Sequence, residues 1–216
     1  QSATQVTPQT YGASGEWSLN QQFQSAGAGT WPLQPLAISR SLRFNSADSA
    51  YLNRTPAGAS NRRTYTLSFW LKKTKNASDY RVMSAGSGTS NTQICGFQIA
   101  TDDCFGIGEY NAAWTWRVET TAVFRDPSAW YHFVAAVDTT QATAANRVKL
   151  YVNGVQQTAL NYSSYPTQNY DTFFNSANAH AIGARQTTPT GYIDGYLTEI
   201  NFIDGQARSE EHTSEL

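Results

Sequence analysis

Tyr110, Asn111, Trp114 and Trp116 fall within seven residues of one another, and no other stretch of the chain is better equipped to act at a surface. Flat aromatic rings stack on the C–H faces of sugars, while amides hydrogen-bond their hydroxyls. At strand spacing Trp114 and Trp116 share a face, with Tyr110 and Asn111 in the turn before them. A tryptophan pair on a sheet also reads as core, and both readings stand on sequence alone. A second cluster spans residues 162–174, where Tyr162, Tyr165, Tyr170, Phe173 and Phe174 sit in a loop-like stretch with Asn169 and Asp171. Phe173 and Phe174 are expected to plug the edge of the fold, which leaves Tyr165 and Tyr170 as further ligand-binding candidates.

Other chemistries lack their parts. There is no Ser-His-Asp elbow, no glycine-rich phosphate loop and no His-Glu-x-x-His. The histidines, His132, His180 and His212, have no tight spacing with Cys95 and Cys104, so a zinc tetrad is set aside. His132 is expected to hydrogen-bond within its sheet, and Trp70 and Trp130 to pack. A net charge of −1 provides no basic field for nucleic acid. Charged residues make up 14%, against roughly 25% in an average domain. Aromatics reach 13%, and Gly, Ser, Thr, Asn and Gln fill the remainder, as in β-rich extracellular or virion modules. No apolar run approaches the roughly 20 residues of a membrane span. The first nine residues lack the order of a signal peptide. The chain begins at Gln and is expected to be a fragment or processed piece.

The positioning elements are short strands. Tyr65, Leu67, Phe69 and Leu71 alternate with Thr66, Ser68, Trp70 and Lys72, a period of two that points the first set inward. Residues 41–44 and 50–53 flank Asn45-Ser-Ala-Asp48 and read as a hairpin. Strands are also expected over 81–85, 94–100, 104–110, 114–124, 130–138, 147–152, 179–185 and 192–204. Asn153-Gly154 marks a tight hairpin. A turn at residues 101–103 places Cys95 and Cys104 out of step and on opposite faces, so both are expected to be free thiols. Some ten short strands with regular turns make an all-β sandwich or barrel. Residues 1–35 read as a linker or the end of a preceding module, with a short helix over 19–26 capped by Ser18.

The ordered motifs SLRFN (41–45), TLSFWLK (66–72), WYHFV (130–134), KLYVNGV (149–155) and GYLTEINF (195–202) resemble laminin-G-like, concanavalin A-like jelly-roll domains. The resemblance covers about residues 38–207, within a domain expected over 36–207, and implies an antiparallel two-sheet jelly-roll β-sandwich. RDPSAWYH at 125–132, VDTTQAT at 137–143 and EINFIDGQA at 199–207 resemble copies of this domain in tail-fibre and virion proteins of tailed bacteriophages. Residues 208–216 (RSEEHTSEL) break the composition of the rest and match one reading frame of a common short-read sequencing adapter. They are expected to be translated adapter, with the domain cut near Ala207.

The resemblance implies calcium as the ion to expect, because related lectin folds hold it at loop carboxylates with six to eight oxygen ligands. Asp171 and Asp194 are the metal candidates, and turn-forming or capping roles are the alternative. The fold also hosts glycoside hydrolases, whose carboxylates stand two apart on one strand as nucleophile and acid. Here Glu16, Glu109, Glu119 and Glu199 precede residue 208, and none has an Asp two residues away. The expected function is therefore non-catalytic: recognition of a cell-surface glycan or polysaccharide, in a virion or extracellular setting, beside other fibre subunits. The alternatives are a purely structural fibre module and, more remotely, a polysaccharide-degrading enzyme.

Overall fold

The structure is a computed structural model that describes residues 40–87, 93–186 and 189–209. The expected linker helix over 19–26 and most of the 208–216 tail lie outside these residues. Thirteen strands form in chain order: β1 (Leu42–Phe44), β2 (Leu52–Arg54), β3 (Thr64–Lys73), β4 (Tyr80–Gly86), β5 (Ile94–Ile99), β6 (Cys104–Asn111), β7 (Ala113–Val123), β8 (Tyr131–Asp138), β9 (Val148–Val152), β10 (Val155–Gln156), β11 (Leu160–Ser164), β12 (Ala179–Ile182) and β13 (Gly195–Asp204). They build two antiparallel sheets, one ordered β1-β13-β3-β8-β9-β10 and the other β11-β7-β6-β5-β4-β12-β2. Among the described residues no helix is long and apolar enough to cross a membrane.

Period-two patterning places the core. Tyr65, Leu67, Phe69 and Leu71 of β3 are fully buried, beside Phe133, Ala135 and Val137 of β8. Phe97 and Ile99 of β5, Phe105 and Ile107 of β6, and Trp116 and Val118 of β7 complete the same cluster from the other sheet. Phe69 meets Phe105 edge-on at 6.1 Å, and Phe105 packs on Phe133 at 4.7 Å. These rings join the layers, and each such side chain contributes about 1.5–3 kcal/mol by leaving water. Phe174 seals one end, 5.7 Å from Tyr65 and 5.0 Å from Phe97. Cys95 and Cys104 are both buried free thiols.

Residues 41–53 do not form the expected hairpin. Strand β1 pairs with β13, whereas β2 pairs with β12 in the other sheet. The 3-10 turn Ser46–Asp48 between them has Asn45 as its cap, and Ser49 adopts a left-handed φ of 53°. That turn carries the chain from one layer to the next. Strand β11 lies where the sequence reads as loop: its burial does not alternate, so an edge strand beside β7 leaves no period-two signal. The Asn153-Gly154 turn is as expected, with φ of 48° and 85°, the left-handed pair that a two-residue hairpin requires.

Candidate functional site

Trp114 and Trp116 do not share a face. The β6–β7 ladder pairs Glu109 with Trp116 but Tyr110 with Trp114, so one residue of β7, Thr115, is extra. Such a β-bulge shifts the alternation by one. Trp116 turns inward and is 0% exposed, while Trp114 turns outward and is 40% exposed. On the outer face Trp114 meets Tyr110 edge-on at 5.4 Å. It lies so close over Gly108 that a Cβ there would come 2.7 Å from its ring. The Arg117 guanidinium sits 4.7 Å from the Trp114 ring centre and 3.9 Å from that of Tyr162 on β11. These cation–π contacts hold both rings in place. Asn111 is exposed at the β6–β7 turn, where Ala112 takes a left-handed φ of 58°.

A polar chain crosses the same face, drawn from β4, β5, β7 and the loop before β4. Arg81 donates to Asp79 at 3.1 Å and to the Gln98 side-chain oxygen. Gln98 donates to Glu119 at 3.5 Å, and Arg117 donates to Glu119 at 2.6 Å. Glu119 is 0% exposed, and its second oxygen, Oε1, has no hydrogen-bond partner among the described residues. Burial lowers the Arg81 pKa; Asp79 opposes this, and the charges of Arg185 and Arg117 add to it. Between Arg81, Arg185 and the aromatic pair lies a depression of about 170 Å³, floored by Gly96 and Gly108 and walled by Ile94, Tyr110 and Trp114. Glycines on adjacent strands let a ligand approach the sheet backbone.

The family model described as the concanavalin A-like lectin/glucanases superfamily, of the laminin-G type, matches residues 45–212. The chain belongs to this superfamily. No curated protein matches the chain. Among solved structures it is similar to domain 4 of a GH43 extracellular arabinanase from Geobacillus stearothermophilus, solved with arabinotriose. Identity is 18% and the TM-score 0.53, over 72% of this chain and just under two thirds (66%) of that one. The CBM40 of the IT-sialidase of Ruminococcus gnavus is 14% identical with a TM-score of 0.53, over 76% of this chain and 97% of that one. The heptameric SAP-like pentraxin of Limulus polyphemus is 16% identical with a TM-score of 0.51, over 76% and 73%. At these identities the likeness is one of fold.

The remaining candidate residues of this concanavalin A-like domain lie elsewhere. Tyr165 is half-buried and packs against the core. Tyr170 is also half-buried, and its hydroxyl donates to Glu109 at one end of the sandwich interior. Neither shares the Trp114 face. Asp171 pairs with Arg63 at 2.7 Å. Asp194 accepts from Ser46 at 3.0 Å and Thr74 at 2.9 Å and pairs with Lys75 at 2.6 Å. Arg63 and Thr74 flank the ten residues of β3, which span about 33 Å, so the two carboxylates cannot share an ion. Each is already neutralised by a cation, and among the described residues no group of three or more His, Cys, Asp or Glu could hold a metal. His132 bonds Ser68 at 2.8 Å and stacks on Trp70 at 4.9 Å.

Arg81, Gly96, Gln98, Gly108, Arg117, Glu119, Tyr162 and Arg185 were not site candidates from sequence. One signal pointed to them: Gly96, Gly106 and Gly108 recur at period two on adjacent strands, unusual for buried sheet and a mark of close approach.

Proposed function

We propose that this domain is a non-catalytic glycan-binding module whose ligand lies on the outer face of the seven-stranded sheet. The observation that carries this reading is Trp114, exposed and immobilised by Arg117 and Gly108 beside a glycine-floored depression. A rigid aromatic face next to hydrogen-bonding side chains is what sugar recognition needs. The arabinotriose complex of the arabinanase domain and the carbohydrate-binding module of the sialidase support it, as proteins of the same fold. The non-catalytic reading is supported by the carboxylates: Glu109 points into the sandwich and Glu119 is sealed on its outer side, so they face no common cleft.

The setting we propose is a tail fibre or other virion protein of a phage, where the module recognises host-surface glycan. The motifs at 125–132, 137–143 and 199–207 support it. The experiment is a glycan array with the full chain and its Trp114→Ala variant. Binding that the variant loses, with its circular dichroism unchanged, is the expected result. Equal binding by both would remove the Trp114 face from the account.

A second reading, a structural module that packs fibre chains, is favoured by the other sheet. Its outer face carries Trp70, Trp130, Tyr151 and Tyr196, all half-buried, with Trp130 on Tyr196 at 6.5 Å. Light scattering separates the two: a stable trimer indifferent to sugars supports the second.

A further inference from the structure

The depression beside Trp114 has an unusual charge pattern for a site that takes neutral sugars. Among the described residues lining it, the charged ones are Arg185 and Arg81, the latter paired with Asp79 at 3.1 Å. Guanidinium groups only donate. A neutral sugar brings hydroxyls that both donate and accept, and their hydrogens would find few acceptors there.

The nearby carboxylates are committed. Glu119 is buried, with Oε2 taken by Arg117 and Gln98. Asp79 accepts from both Nε and Nη2 of Arg81. With Gln98 on Nη1, that grip orients the Arg81 fork, and its amino groups keep further N–H donors, since a guanidinium carries five. Gln98 and Asp79 are therefore positioning residues for Arg81. Burial makes the Arg81 charge costly, Asp79 offsets part of that cost, and the charges of Arg185 and Arg117 add to it; a bound anion would add to the offset. Planar forks of this kind suit carboxylate and sulfate oxygens.

We propose that this face selects glycans bearing an anionic group, which seats between Arg81 and Arg185 while an adjoining ring stacks on Trp114. The inference rests on the glycan-binding reading and narrows its substrate class to acidic sugars. At about 170 Å³ the depression is well below the roughly 300–1,000 Å³ of drug-sized pockets. It therefore takes the charged group and part of one ring, and the remainder of the chain runs over Trp114 and Tyr162.

The test is calorimetric titration of the full chain with matched probes: trigalacturonate against its methyl ester, and sulfated against unsulfated lactose. The acidic member of at least one pair is expected to bind at least about tenfold tighter, the effect of one hydrogen bond to a charged group. That preference should shrink with added salt. Arg185→Gln should remove it, and Arg185→Lys should restore part of it. Gly96→Ala is a second variant. Its new methyl would lie 3.6 Å from the nearest atom outside its chain neighbours, an ordinary contact, so it fills the floor without forcing the fold. It should weaken the acidic probes. Which pair responds identifies the anion as carboxylate or sulfate. Equal affinity for acidic and neutral members overturns the inference and leaves the glycan reading intact. An acidic preference untouched by both variants places the anion elsewhere and also overturns it. No binding to these probes or to any glycan on the array overturns both.

Discussion

Trp114 and Trp116, two positions apart on one strand, face opposite sides of the sheet because Thr115 between them is an extra residue in the ladder. One ring completes the core and the other forms the wall of the surface depression. Their substitutions should therefore part cleanly. Trp116→Ala empties a fully buried site and should cost about 3–5 kcal/mol in urea unfolding. Trp114→Ala should cost about 1 kcal/mol or less, since exposed positions tolerate truncation.

The bulge also shows where sequence reasoning reaches its limit. Alternation is plain in β9, which buries every second residue from Val148 to Val152, and in the apolar–polar residue order of β3 from Tyr65 to Phe69, although Thr66 and Ser68 are buried as well. The two-sheet architecture follows from such runs. A single inserted Thr leaves no compositional mark, yet it reverses every side chain beyond it, so the pairing of Trp114 with Trp116 was misread. The β1–β2 turn was misread for a related reason: Asn45-Ser-Ala-Asp48 signals a reversal but not which sheet receives the next strand. Arg81, Gln98, Glu119 and Arg117 come from three strands, β4, β5 and β7, and only the folded register brings them together.

Asp103 should be a stability hinge at one end of the sandwich. It is buried, bonds Lys73 at 2.7 Å and Arg125 at 3.1 Å, and accepts the Ala77 amide at 3.0 Å. Burial raises its pKa, but these partners outweigh burial and hold it below the ordinary 3.8. A depressed carboxylate stabilises the fold above its unfolded pKa and loses that contribution as pH falls through the folded value. Asp103→Asn leaves the buried Lys73 ammonium without its carboxylate and should cost about 3–5 kcal/mol at neutral pH. Denaturation curves should show this gap narrowing as pH falls below 3.8.

Glu109 should have the opposite pH signature. Burial raises its pKa above 4.5, although the Tyr170 hydroxyl and the Phe173 amide partly offset the rise. The folded state then holds the proton longer than the unfolded one, so stability falls as pH rises from 4.5 through the folded value. Glu109→Gln removes this dependence. The stability of the variant relative to the parent should increase between about pH 4 and about pH 7, and a constant difference would contradict the assignment.

Gly108 and Gly96 predict different outcomes for the same substitution. A Cβ at Gly108 would lie 2.7 Å from the Trp114 ring and 2.8 Å from the Trp116 carbonyl. Gly108→Ala should therefore displace the ring and destabilise the fold by an amount typical of overpacking, about 1–3 kcal/mol, which lowers the melting temperature. Gly96→Ala should leave the melting temperature nearly unchanged. Thermal melts of the two variants check this directly.

The most direct test of the glycan-binding face is the pair of indole N–H signals of Trp114 and Trp116 in a nitrogen-labelled sample, assigned by single Trp→Phe variants. During titration with a glycan that binds, the Trp114 signal should move with saturation while the buried Trp116 signal moves far less. A bound glycan that leaves Trp114 unmoved and instead shifts residues of the six-stranded sheet would contradict the account.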